Sequence, residues 1–195
     1  MHSLLKRYIQ INVPVEPKQL DSMVKLFKPK TVKRNSILLS AGDVSRELYF
    51  VNKGVIRTYY ISRGGNQRTR YFAFDGIVGT ALSSFITQQP SFEFVDALED
   101  SELLCISRDS FYRLVDEMPE WANYYRKLLE FAYSYQNKQI ENLVTLSAGE
   151  RYDDIMKNHP EYIQRLPNHI LASYLDMSQE TLSRLKTKFL QGVSK

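Results

Sequence analysis

The chain has 195 residues, 43% of them hydrophobic and 25% charged, with a net charge of +4 and one cysteine. That length holds one large domain or two small ones, and the composition is that of a globular protein. One cysteine excludes a disulfide framework or an iron–sulfur cluster built within this sequence. The three scattered histidines (His2, His159, His169) offer no metal site, and no apolar run is long enough to cross a bilayer. Met1–Arg7 lacks the apolar core of a signal peptide, so a cytoplasmic chain away from membranes is expected.

Charge is unevenly spread. Residues 1–40 carry net +6, which reads as a solvated face, and residues 41–147 carry net −3. Residues 148–195 carry net +1, with +3 concentrated in residues 178–195. From about residue 30 to 107 the chain turns to short β-branched and aromatic runs: Leu48–Val51, Val55–Ile61, Arg68–Phe74 and Leu103–Ile106. Gly42-Asp43, Asn52-Lys53-Gly54, Gly64-Gly65-Asn66, Asp75-Gly76 and Glu99-Asp100 punctuate them. Gly64-Gly65 is expected to make a two-residue hairpin turn. Many short strands at even spacing predict a jelly-roll-like β-roll, and Cys105 is expected to be a buried small hydrophobe within it.

Ser107 is a predicted N-cap of a short helix, and Pro119 suits the first turn of a longer one running to about residue 146. Along it Trp121, Tyr125, Leu128, Ala132, Tyr135, Gln139, Asn142 and Leu146 recur at alternating steps of four and three, the spacing of a coiled-coil seam. These residues, the first five above all, are expected to form a dimer interface. A second stripe through Leu129, Phe131 and Tyr133 makes the helix apolar on more than one face, one for the roll and one for a partner helix. Two copies are expected to pair in parallel along the partner-helix face.

A further helix is predicted over Ala148–Met156, ended by His159-Pro160. Glu161–Leu166 is too short for a β-hairpin, and only Gln191–Lys195 follow the last helix, so a full wing is not expected. Pro167–Leu185 reads as helix, tight turn and helix. Ile170, Leu171 and Leu175 form the apolar face of the first helix, and Leu182, Leu185 and Phe189 that of the second. Asp176-Met177 is the turn. Ser178 is a natural N-cap with Glu180 facing the helix dipole, and Ala172 is small where the helices cross. A second helix beginning Ser-Gln-Glu-Thr and continuing Ser-Arg-Leu-Lys-Thr-Lys suits a DNA major groove, with base-reading groups first and basic residues later.

Gly42-Asp43, Tyr49-Phe50-Val51, Gly54 and Ile56-Arg57, together with Ser178, Glu180, Thr181 and Arg184 downstream, resemble the Crp/Fnr superfamily of bacterial transcription regulators. The resemblance covers about residues 20–190. It implies an α+β fold: an N-terminal β-roll (double-stranded β-helix) with flanking helices over 1–118, a connecting and dimerisation helix over 119–147, and a helical helix-turn-helix DNA-binding domain over 148–195 with a reduced or absent wing. It places a phosphate-binding cassette at Val78–Phe85 and Pro90-Ser91, closed by a strand near Val95–Ser101. Cyclic-AMP-binding members use a cassette glutamate on the ribose and an arginine on the phosphate. Thr80 and Ser91 stand at those positions here. The loss of such a charged anchor costs about 2–5 kcal/mol of ligand affinity, so cyclic AMP is not expected as the effector. The pocket of Gly79, Thr80, Ala81, Leu82, Ser83 and Ser91 is degenerate. A short helix starting in residues 79–85, or Arg57, Arg63, Arg68 and Arg70, could still supply a site for another anion.

The same resemblance gives Gln179, Glu180 and Arg184 as the base-reading trio, suited to adenine, cytosine and guanine in turn. Ser178, Thr181, Lys186 and Lys188 become candidates for phosphate contacts. The expected function is a dimeric, sequence-specific regulator of transcription whose partners are double-stranded DNA, a second copy of the chain and, as a further candidate, RNA polymerase. No cofactor is expected. The alternative is a small-molecule sensor that acts through a partner protein. An enzyme on a cupin-like roll is not expected, because the β-rich half contains no histidine.

Overall fold

The computed structural model describes residues 2–192. Two helices, α1 (Ser3–Asn12) and α2 (Pro17–Val24), precede the strands β1 (Lys28–Val32), β2 (Ile37–Leu39), β3 (Glu47–Lys53), β4 (Ile56–Ile61), β5 (Gln67–Ala73), β6 (Val78–Gly79), β7 (Phe94–Ala97) and β8 (Ser101–Ser107). A short α3 (Leu82–Thr87) lies between β6 and β7. The helices α4 (Arg108–Glu117), α5 (Pro119–Thr145), α6 (Ala148–Asn158), α7 (Pro160–Arg165), α8 (Asn168–Tyr174) and α9 (Gln179–Gly192) follow. The strands form two four-stranded sheets in the orders β1-β8-β3-β6 and β2-β7-β4-β5, so sequence neighbours are mostly separated, as in a β-roll.

The near-continuous apolar runs of β3 and β8 have a simple cause: both strands are covered on both faces. Leu48 and Phe50 of β3 and Leu104 and Ile106 of β8 pack with Leu5, Ile9, Met23, Phe111, Trp121 and Tyr124 from the helices. Their alternate neighbours Tyr49, Val51, Leu103 and Cys105 face the other sheet, against Ile56, Ala73 and Val95. Burial pushes the Cys105 thiol up to about 12, leaving it an inert hydrophobe. Part of the basic N-terminal stretch lies on an edge strand. β1 pairs only with β8, and Lys28-Pro29-Lys30 carries the charge and proline that keep an edge strand from pairing further. Lys30 meets Glu47 at 2.5 Å and Lys33 meets Asp100 at 2.8 Å.

One local expectation is corrected. The Gly64-Gly65 hairpin has a three-residue loop: the Gly65 N–H donates to Ser62 O and the Ser62 N–H to Asn66 O, each at 2.9 Å. Only Gly65 takes a positive φ (+78°), giving a type I turn closed by a left-handed glycine. Glu161–Leu166 holds no β-hairpin: after His159, Pro160 starts the six-residue α7. The predicted caps are present. Ser107 Oγ accepts from the Ser110 N–H, and α5 runs from Pro119 to Thr145. After Ser107 the described residues form only helices.

Contacts divide the chain into two compact units. One comprises the residues up to Ile61 together with Arg70–Glu130. The other comprises Ser62–Thr69 and the residues from Phe131 onward.

Candidate nucleic-acid interface and effector pocket

In the C-terminal unit Tyr152, Ile155, Tyr162, Leu166, Ile170, Leu171, Leu175 and Leu182 are buried, and Leu182 is fully enclosed. Ala172, also buried, allows α8 and α9 to cross closely. Asp176 turns the chain with φ +51°, a conformation aspartate tolerates better than bulkier residues. The Met177 N–H then returns to Ala172 O at 3.1 Å. Ser178 Oγ accepts from the Thr181 N–H at 3.2 Å and so caps α9. The Ser178 hydroxyl is also the main cause holding the Glu180 carboxyl below the usual glutamate range.

Gln179, Glu180 and Arg184 are all exposed, and Glu180 and Arg184 lie on the side of α9 about opposite Leu182. Arg184 Nε donates to Glu180 O one turn back at 3.3 Å. Lys186 Nζ reaches Asn168 Oδ1 at 2.5 Å, tying α9 to the start of α8, while Lys188 lines a groove with Tyr152, Met156 and Lys157 of α6. Thr181 lies beside Ser178, their hydroxyls 3.2 Å apart. Phe189 is only partly covered, edge-on to Tyr152.

Several groups that fix this helix pair carry no motif in the sequence. Tyr174 Oη bonds Tyr135 Oη at 2.8 Å and accepts from Gln139 Nε2 at 2.6 Å, joining α5 to α8. The start of β5 touches the end of α8 and the turn after it: Thr69 Oγ1 lies 2.5 Å from Ser173 Oγ, and Arg68 pairs with Asp176. Arg151 of α6 bonds the carbonyls of Leu146, Leu175 and Asp176.

In the roll, Thr80 Oγ1 donates to Glu47 O at 2.8 Å and pairs with Ser45 Oγ. Ser91 Oγ bonds the backbone of Glu93 in both directions at 3.0 Å. Both hydroxyls are therefore committed to their own chain. A Cβ at Gly79 would be tightly packed, meeting Ala73 Cβ at 3.0 Å and Ile56 Cδ1 at 3.1 Å. Ala81 is buried, Leu82 half-buried, and Ser83 is exposed on α3, outside any pocket interior.

Residues 29–118 match the family model for the cyclic nucleotide-binding domain. An anaerobic regulatory protein from Haemophilus influenzae is 26% identical over 183 residues, covering 88% of this chain and 69% of that protein. The fumarate and nitrate reduction regulatory protein of Yersinia pestis is 28% identical over 184 residues, covering 88% and 71%. FixK2 from Bradyrhizobium japonicum superposes with a TM-score of 0.74 at 16% identity, over 85% of this chain and 86% of that one. The chain is thus similar in sequence and fold to regulators of the Crp/Fnr superfamily. It spans roughly two-thirds of the length of the curated relatives, 64% of that from Pasteurella multocida.

Of the four arginines suggested for the pocket, Arg57, Arg68 and Arg70 are paired with carboxylates, and Arg63 is exposed in the β4–β5 loop. Arg57 and Asp96, opposite each other on β4 and β7, form a fork of 3.0 and 2.5 Å, and both are buried. The Arg57 guanidinium also lies 3.9 Å from the Tyr59 ring centroid. Arg70 Nη1 meets the buried Glu93 carboxylate at 3.0 Å. Burial raises the Glu93 carboxyl, and Arg70 partly opposes that. Arg68 pairs with Asp176. Among the described residues no group of histidine, cysteine, aspartate or glutamate could hold a metal ion, and no helix is long and apolar enough to cross a membrane.

Several residues of the expected dimer stripe already have partners within their own chain. Trp121 is only 2% exposed, and Tyr125 and Leu128 pack against the same core of their own chain. Tyr135 is taken up by Tyr174, and Ala132 is half-buried. The face of α5 left open is the neighbouring one. Leu129, Tyr133, Gln136, Ile140 and Leu143 follow steps of four and three along it, with Tyr133 71%, Ile140 60% and the adjacent Val144 81% exposed.

Proposed function

We propose that the protein is a transcription regulator of Crp/Fnr type that reads double-stranded DNA directly, as a dimer on a palindromic site. The observation that carries this is the geometry of α9. Its start is capped by Ser178, its buried side is anchored by Leu182, and it offers Gln179, Glu180 and Arg184 to the outside. Arg184 is placed to grip guanine O6 and N7, Glu180 to accept from a cytosine amino group, and the Gln179 amide to pair with adenine. Ser178, Thr181, Lys186 and Lys188 contribute phosphate contacts that set register. The open stripe of α5 joins two copies in parallel, so that two reading helices address half-sites one turn apart. The roll acts without cyclic AMP, because the Thr80 and Ser91 hydroxyls bond backbone and Arg57 and Arg70 bond carboxylates. The protein works in the bacterial cytoplasm with RNA polymerase as its downstream partner, and no catalytic step is assigned to it.

Arg184→Ala tests the reading directly. It is expected to relax discrimination at one base pair by about 1–3 kcal/mol, seen as titrations on single-base-pair variants that converge at that position. An equal loss on every sequence would mean that Arg184 serves the backbone and does not read bases.

A further inference from the structure

α6 begins with a cation at the wrong end of its own dipole. Ser147 and Glu150 form a reciprocal capping box, as the positive end of a helix favours, yet Arg151 stands beside them. Its guanidinium is directed away from α6. Nη1 donates to Leu146 O at 2.6 Å, just beyond the end of α5. Nε donates to Leu175 O at 2.9 Å and Nη2 reaches Asp176 O at 3.4 Å, just beyond the end of α8. One side chain thus caps the carbonyl ends of two helices, each of which leaves acceptors without intrahelical donors. A lysine carries the charge but not the fork that addresses these carbonyls together.

The place matters because Leu175 and Asp176 are the turn itself. Asp176 is left-handed, and Ser178, two residues later, starts the reading helix. The Asp176 side chain is held separately by Arg68. Resting on the reading of α9 given above, we propose that Arg151 is a positioning residue for DNA recognition: it ties the end of the long helix to the turn that aims α9. A displacement of the end of α5 is then delivered to the turn through a guanidinium rather than through the longer path along α6 and α7.

The test uses the full chain with Arg151→Lys, and Arg151→Ala beside it. Three readouts are compared with the wild type: thermal unfolding, amide hydrogen exchange at residues 175–180 without DNA, and DNA affinity as a function of salt on a selected duplex and its single-base-pair variants. The expected result for Arg151→Lys is a cooperative melt, faster exchange confined to the turn, and affinity lower by about 10- to 100-fold with narrowed discrimination. The salt slope stays at its wild-type value, since a positioning residue neutralises no phosphate. A slope reduced by about one would make Arg151 a phosphate contact and overturn the proposal. So would a smaller folded fraction that binds with wild-type affinity, or exchange and affinity that do not change. If the wild type itself shows no sequence preference, the reading of α9 fails, while exchange at the turn still decides whether Arg151 holds it.

Discussion

Asp96→Ala is expected to lower the stability of the protein by about 3–5 kcal/mol, a large part of the 5–15 kcal/mol typical of a domain. The substitution leaves the Arg57 guanidinium, on a residue only 3% exposed, without its fork of carboxylate bonds. The ring of Tyr59 beneath it cannot replace a full negative charge. Chemical denaturation checks the value. The double substitution Arg57→Met with Asp96→Leu should recover part of the loss, because removing both charges also removes their desolvation. A loss below about 1 kcal/mol for Asp96→Ala would place the pair in solvent. The same melting experiment bears on the effector. A ligand that binds the native state raises its stability, so cyclic AMP should leave the wild-type transition where it is. An upward shift that grows with cyclic AMP concentration would show that the nucleotide displaces the internal carboxylates.

The second large effect belongs to α5. Ile140→Asp puts a charge at the centre of the open stripe without touching either core, since Ile140 is 60% exposed. The expected outcome is a monomer by sedimentation, an unchanged melt at low concentration, and DNA affinity lower by about 100-fold or more as bivalent contact is lost. A dimer that persists would return the interface to another face. Trp121 is not an equivalent site, because it belongs to the core shared by α1, α2, α4 and β3.

How much of this could be read from the letters depends on the range of the forces involved. Ser107 and Ser178 announce their caps because the bonds they accept lie three residues away. The runs Leu48–Val51 and Leu103–Ile106 declare strands, but their burial on two faces requires helices and a second sheet distant in sequence. On α5 the spacing is legible in both stripes. Which stripe stays free is decided by residues such as Phe111 and Tyr8, which cover Trp121, Tyr124 and Tyr125. The pocket arginines were visible, whereas their neutralisation was not. Asp96 sits unremarked between Val95 and Ala97, and only the β4–β7 register sets it against Arg57. The three-residue loop at Arg63–Gly65 turns on which of two adjacent glycines takes positive φ. Arg151 left one usable sign: a cation in the first turn of a helix that its own cap had already made suitable for acids.

The most direct measurement is selection from a random duplex library by the purified, ligand-free protein at fixed salt, followed by sequencing of what is retained. The expected product is a two-fold palindrome with half-site centres about 10 base pairs apart. Salt-sensitive retention without a motif, or none at all, would contradict it and leave α9 as a helix that needs an effector or a partner protein before it can read DNA.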